Sequence, residues 1–200
     1  MRLKTEARHQ LILQEAAKAF QSVGYEKTSM SEIALRVGGS KATLYNYFPS
    51  KEVLFVAVMD FVCRDAFEAV FALLTHERPL REVLEDVGVH YLQTLMRPEL
   101  VATRRMAQNE GDASEVGRLL YENGPKRGWT LVSSFLQEAM ALGQLPQADA
   151  WVASLHLKAL YEAEHTEQRL LGVITEVPEA EMRAAVARGL AVWCRAYGVA

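Results

Sequence analysis

Between Thr28 and Phe48 the chain reads TSMSEIALRVGGSKATLYNYF, and a proline follows at position 49. This segment leaves few folds open. Ser29 with Glu32 three residues on has the spacing of a capping box, which starts a helix. Ile33, Ala34 and Val37 fall on one face of that helix. Gly38-Gly39 ends it, because paired glycines permit positive φ and a sharp reversal. A second helix begins at Ser40 or Lys41. It cannot pass Phe48, since proline disfavours helical geometry in the residue before it. At 1.5 Å per residue this helix is only about 10–12 Å long. Leu44 and Phe48, four apart, are its apolar anchors, while Ser40, Lys41, Thr43, Tyr45, Asn46 and Tyr47 face outward.

Two short helices around a glycine turn, with apolar anchors behind and polar side chains in front, meet the needs of a helix-turn-helix. Such a second helix fits the major groove of DNA. Lys41 suits a guanine edge or a phosphate, Thr43 offers a hydroxyl or a methyl, and Asn46 carries the donor–acceptor pair that matches adenine. Tyr45 and Tyr47 are long enough to donate hydroxyls to phosphates. Thr28, Ser29 and Ser40, at helix starts, suit the same partners. Lys51 stands in the first turn of the next helix, where a cation opposes the dipole. A phosphate partner would account for it.

The flanking sequence extends this head. A first helix over about 5–23 shows Leu11, Ile12, Ala16, Ala19, Phe20 and Val23 as an apolar stripe, with Gly24 as its stop. Ser50 caps a fourth helix that carries Leu54, Phe55, Val58, Met59 and Val62 to about Thr75. Beyond it, prolines and glycines punctuate helices near 79–96, 98–110, 113–123, 126–142, 147–171 and 178–197. No run alternates with period two, and Ala, Leu, Glu, Arg, Gln and Met dominate. The expected fold is all-α, with about nine to ten helices. A DNA-binding domain over 1–51 continues into helix 4, and a helical body covers 52–200. Gly189 inside the last helix suggests close approach by another helix.

Charge follows the same division. The net charge is −3, yet residues 1–51 hold eight Lys/Arg against four Glu, which leaves the remainder at −7. A basic head on an acidic body suits DNA contact confined to the head. Cys63 and Cys194 lie far apart in apolar helical contexts and read as buried thiols. The charged first ten residues hold no signal peptide, and no segment approaches a membrane span, so a cytoplasmic location is expected.

Residues 7–60 resemble the DNA-binding domain of the TetR family of bacterial transcriptional regulators. The resemblance rests on Phe20, Gly24, Tyr25, Thr28 or Ser29, Ile33, Ala34, Gly38, Ser40, Ala42, Leu44, Tyr45, Tyr47, Phe48 and Lys51. Ala42 replaces a commoner glycine, which bears on how closely the helix approaches DNA. Gly39 takes a position often held by valine. The stretch Asn109-Glu110-Gly111, with 119–128 and 136–145, is similar to the subgroup with an AefR-like C-terminal domain.

The resemblance implies a homodimer built on the last two helices, a ligand cavity in the body, and repression of a roughly palindromic double-stranded DNA operator, relieved by a small-molecule effector. Ligand binding would tilt helix 4 and change the distance between the two heads. Candidate ligand contacts are His90, Arg104, Arg105, Glu110, Trp129, His156 and Tyr161. Candidate dimer contacts are His165, Met182, Val186, Gly189, Leu190 and Trp193, and the polar run 162–168 is a solvated helix end or part of that interface. His156 and His165 are nine apart, not the i,i+4 spacing of a helical metal pair, so no metal site is expected. No glycine phosphate loop, Gly-x-Ser-x-Gly or Cys–His pairing occurs, so neither an enzyme nor a cofactor is expected. The alternatives are an activating or ligand-independent DNA-binding regulator, and a helical ligand carrier or enzyme with a degenerate head.

Overall fold

A computed structural model describes residues 5–110 and 115–199, with the side chains of 109, 110 and 115 left aside. The described residues are all-helical. In chain order the helices are α1 (Glu6–Val23), α2 (Met30–Val37), α3 (Lys41–Tyr47), α4 (Lys51–Phe71), α5 (Leu80–Leu95), α6 (Pro98–Glu110) and α7 (Glu115–Tyr121). A π-helical turn at Glu122–Lys126 leads into α8 (Arg127–Ala141), α9 (Ala150–Glu162), α10 (Thr166–Leu171) and α11 (Glu179–Tyr197). No described helix is long and apolar enough to cross a membrane.

Most boundaries follow local chemistry. The side chains of Thr5, Ser29 and Ser40 accept the backbone N–H three residues on, capping α1, α2 and α3. Ser50 Oγ accepts from Val53 N at 3.3 Å and does the same for α4. The capping box at α2 is only half made. Ser29 accepts from Glu32 N at 3.2 Å, but the Glu32 carboxylate turns to Arg36 at 2.9 Å. Helix α4 ends at Phe71, four residues short of the expected Thr75. The expected single helix over 147–171 is two, because the chain breaks after Glu162 and restarts at Thr166.

The chain forms two compact units, Met1–Arg64 with Ala102–Gly124, and Asp65–Val101 with Pro125–Ala200. The first encloses Ile12, Ala16, Phe20, Ile33, Leu44, Leu54, Phe55 and Val58. Phe20 meets Phe55 edge-on at 5.4 Å, and Tyr25 lies 4.5 Å from Phe55. Leu13 joins this core, whereas Leu11 and Val23 of the expected stripe turn outward.

The second unit packs α5, α8, α9 and α11 around one apolar core. Three close contacts fix it. A Cβ on Gly88 would fall 2.7 Å from the Tyr161 ring and 2.8 Å from Val186. The Tyr161 hydroxyl donates to Leu84 O at 2.6 Å. The Trp193 indole N–H donates to Ala153 O at 2.9 Å. Both polar tips are buried, and each meets the partner that burial demands.

Candidate nucleic-acid interface

The reversal between α2 and α3 rests on Gly38, whose φ of 69° lies in the left-handed region. Its N–H bonds Leu35 O, and the Gly39 N–H bonds Ala34 O, each at 3.0 Å, so the last carbonyls of α2 are satisfied as the chain turns. Ser40 then opens α3, accepting from Thr43 N at 3.1 Å. Leu44 and Phe48 are buried and seat the helix on the core. Phe48 is extended, with φ −132° and ψ 108°, and stops it.

This seating leaves one face of α3 in solvent. Lys41, Ala42, Tyr45 and Asn46 are exposed, while Thr43 and Tyr47 are half-buried. The Lys41 ammonium lies 5.8 Å from the centre of the Tyr45 ring. The hydroxyls of Ser40 and Thr43 are 2.8 Å apart and bonded to each other. The Tyr47 hydroxyl accepts from Thr5 N at 2.9 Å, tying the first turn of α1 to the end of α3. Ser29 is exposed at the start of α2.

Two candidates on this head have work inside it. Thr28 is buried, and its hydroxyl donates to Gly24 O at 2.7 Å, closing the end of α1. The Lys51 ammonium donates to Tyr25 O at 3.0 Å, Thr28 O at 3.3 Å and Glu26 O at 3.4 Å. It also sits 4.1 Å from the centre of the Tyr25 ring. Its three donors are used by loop carbonyls, so Lys51 braces the α1–α2 loop rather than pointing to a phosphate. Sequence spacing alone does not show this, because the partners lie about 25 residues upstream.

The candidate ligand contacts are divided between the two units. Arg104 and Arg105 belong to the first unit, whereas His90, Trp129, His156 and Tyr161 belong to the second. The side chain of Glu110 lies outside the described residues. His90 and His156 are exposed; the first bonds Asp86 O at 2.8 Å through Nδ1, the second the Tyr197 hydroxyl at 2.7 Å. Trp129 and Tyr161 are buried. Trp129 meets Tyr91 edge-on at 5.2 Å and Phe71 at 6.2 Å, and Phe67 lies 5.7 Å from Tyr91. The Tyr91 hydroxyl donates to the Glu162 carboxylate at 2.6 Å, which also holds Lys158 at 2.6 Å. This aromatic group with one carboxylate was not apparent from sequence, because its members come from α4, α5, α8 and α9.

The candidate dimer contacts are also turned inward. Met182, Val186, Leu190 and Trp193 fill the subunit's own core. Gly189 packs on α9, where an added Cβ would fall 2.8 Å from Leu160 O. His165 is buried where α9 gives way to α10. The solvent face of α11 instead carries Ala184, Arg188, Val192 and Ala196.

Comparison with known proteins agrees with this architecture. Residues 82–199 match the AefR-like transcriptional repressor C-terminal domain, and residues 12–58 match the bacterial regulatory proteins of the tetR family. The flavonoid-responsive regulator FrrA is 30% identical and superposes with a TM-score of 0.85 over 96% of this chain and 98% of its own. A TetR-family regulator of Mesorhizobium loti is 28% identical, also at 0.85, over 98% of this chain and 100% of its own. The repressor ComR of Escherichia coli is 28% identical over 67% of this chain and 66% of its own length. The alignment with the regulator YuxN of Bacillus subtilis spans 33% of that protein. The chain belongs to the TetR family of bacterial transcriptional regulators.

Proposed function

We propose that the protein is a transcriptional repressor that binds a two-fold DNA operator as a homodimer and leaves it when a small aromatic effector binds the second unit. The observation that carries this reading is the free face of α3. Lys41, Tyr45 and Asn46 are exposed on a helix that Leu44 and Phe48 hold rigidly from behind. A short helix presenting cation, amide and phenol is suited to bases and phosphates together. Residues 1–51 with the start of α4 are the head in this reading.

The solvent face of α11, with Val152 and Ala159 of α9, is the surface assigned to the second copy. Both helices expose small and aliphatic side chains there, flanked by the Arg188–Glu164 ion pair. Two heads on one dimer then meet half-sites separated by whole helical turns. For the effector, the support is the group formed by Phe67, Phe71, Tyr91 and Trp129, with Glu162 bonded to the Tyr91 hydroxyl. Such a group suits a planar aromatic molecule with a polar substituent. The relative described as flavonoid-responsive points the same way. Helix α4 runs covalently from the first unit into the second, which gives a route for coupling. Moving a 99:1 population to 1:99 requires about 5.5 kcal/mol of differential binding.

Selecting duplexes from genomic DNA with the purified protein tests the reading, followed by titration of the complex with flavonoids and simpler phenols. Enrichment of a two-fold repeat, released by an aromatic compound, is expected. Enrichment that no such compound reverses would remove the effector from the proposal, and no enrichment would remove the repressor.

A further inference from the structure

Arg8 was not among the residues that the sequence pointed to, yet its position in the head is specific. The first turn of α1 lies along the turn and α3 at three places. Thr5 N donates to the Tyr47 hydroxyl at 2.9 Å, and the His9 ring stacks on Phe48 with centroids 5.1 Å apart. Between them, Arg8 reaches the α2–α3 turn. A Cβ built on Gly39 would fall 2.5 Å from Arg8 Nη2 and 3.7 Å from its Cζ. The guanidinium therefore occupies the space that any side chain at position 39 would need. It lines a shallow open cleft with Gly39, Ser40 and Thr43, floored by Ile12 and Leu44. Nearby acids of α1 have other partners: Glu15 holds Lys18, and Glu6 accepts from Gln10.

The guanidinium of a half-buried arginine beside a DNA-facing helix has one evident class of partner. Its planar fork matches a phosphate with two parallel hydrogen bonds, and it keeps its charge at any working pH. Contacts at the flank of a recognition helix usually go to the DNA backbone and set register without reading sequence. We propose that Arg8 is a DNA-phosphate ligand and that Gly39 is its berth, a position kept free of a side chain so that the guanidinium can lie against the turn. This rests on the DNA-binding reading above. Gly39 acts through Arg8 and is a positioning residue. Its φ is not in the positive range, so alanine is conformationally acceptable there. The clash would be with the far end of a flexible side chain, so Gly39→Ala should move Arg8 and leave the fold intact.

The test uses full-length wild type, Arg8→Ala, Arg8→Lys, Gly39→Ala and the Arg8→Ala/Gly39→Ala double variant. Each is measured on a duplex selected by the wild type and on a random-sequence duplex, across a salt series. Arg8→Ala should weaken binding to both duplexes about tenfold at low salt and lower the salt slope by about two, one for each head of the dimer. Arg8→Lys should keep most of the slope while losing part of the affinity. Gly39→Ala should weaken binding in the same direction at an unchanged melting temperature, and the double variant should be no weaker than Arg8→Ala. Wild-type affinity and slope in Arg8→Ala would overturn the proposal. So would a loss confined to the selected duplex, which would make Arg8 a base reader, and so would additive losses in the double variant, which would detach Gly39 from Arg8. Failure of the wild type to bind either duplex would strike the DNA-binding reading itself.

Discussion

Gly189 of α11 lies so close to Leu160 of α9 that a Cβ on the glycine would fall 2.8 Å from the leucine carbonyl oxygen and 3.1 Å from its carbonyl carbon. The obstacle is backbone, not a flexible side chain, so it yields only if the helices separate. Alanine is the better helix former by about 1 kcal/mol. Overpacking a close contact typically costs about 1–3 kcal/mol. Gly189→Ala should therefore lower stability by about 1 kcal/mol, seen as a reduced urea midpoint at unchanged slope. A stabilised variant would mean that the helices are farther apart in solution.

Lys51 and Lys41 should separate stability from binding. Lys51 donates to three loop carbonyls and stacks on Tyr25, so Lys51→Ala leaves those carbonyls without a cation. Hydrogen bonds to a charged group contribute about 1.5–3 kcal/mol, and this variant should lose about that much stability. Lys41 is exposed, and Lys41→Ala should leave the melting temperature within about 1 °C. Its effect should fall on DNA affinity. Thermal melts and DNA titrations of both variants check the contrast.

Leu44 is 2% exposed and is the main anchor of α3. Leu44→Ala should cost about 2–5 kcal/mol by loss of burial and by the cavity left behind. A neutral result in chemical denaturation would mean that α3 docks through other residues.

Stability should fall on the alkaline side. Burial and the Asp60 carboxylate push the Cys63 thiol up from 9.0 to about 11. The unfolded chain then ionises first, so this contribution is complete below pH 9 and is lost as pH rises towards 11. Two units correspond to roughly 3 kcal/mol. Tyr161, raised well above 10.0 by burial, continues the loss at higher pH. Urea midpoints between pH 8 and 11 should decline in wild type, and the decline should be shallower in Cys63→Ala. Cys63 is half-buried rather than buried as its sequence context suggested, whereas Cys194 is buried; parallel curves would contradict the raised ionisation of the Cys63 thiol.

What the sequence revealed was local chemistry. Ser29, Ser40 and Ser50 announce helix starts through their hydroxyls, Gly38 announces a reversal, and Leu44 with Phe48 shows which side of α3 is inward. What it hid depends on distant partners. The break after Glu162 carries no glycine or proline, so a good helix-forming composition masks it. The direction of Lys51 depends on carbonyls of the 25–28 loop, and that of Arg8 on the space beside Gly39. The inner face of α11 was legible as apolar. Which neighbour it covers was not, since an apolar stripe suits a subunit core and a dimer seam equally.

The central claim is that the exposed face of α3 reads DNA. Its most direct test is duplex selection with wild-type protein and with a Lys41→Ala/Asn46→Ala variant that melts at the same temperature. The account predicts that wild type enriches a two-fold repeat and that the variant loses that enrichment while remaining a folded dimer. Equal enrichment by both proteins would contradict it.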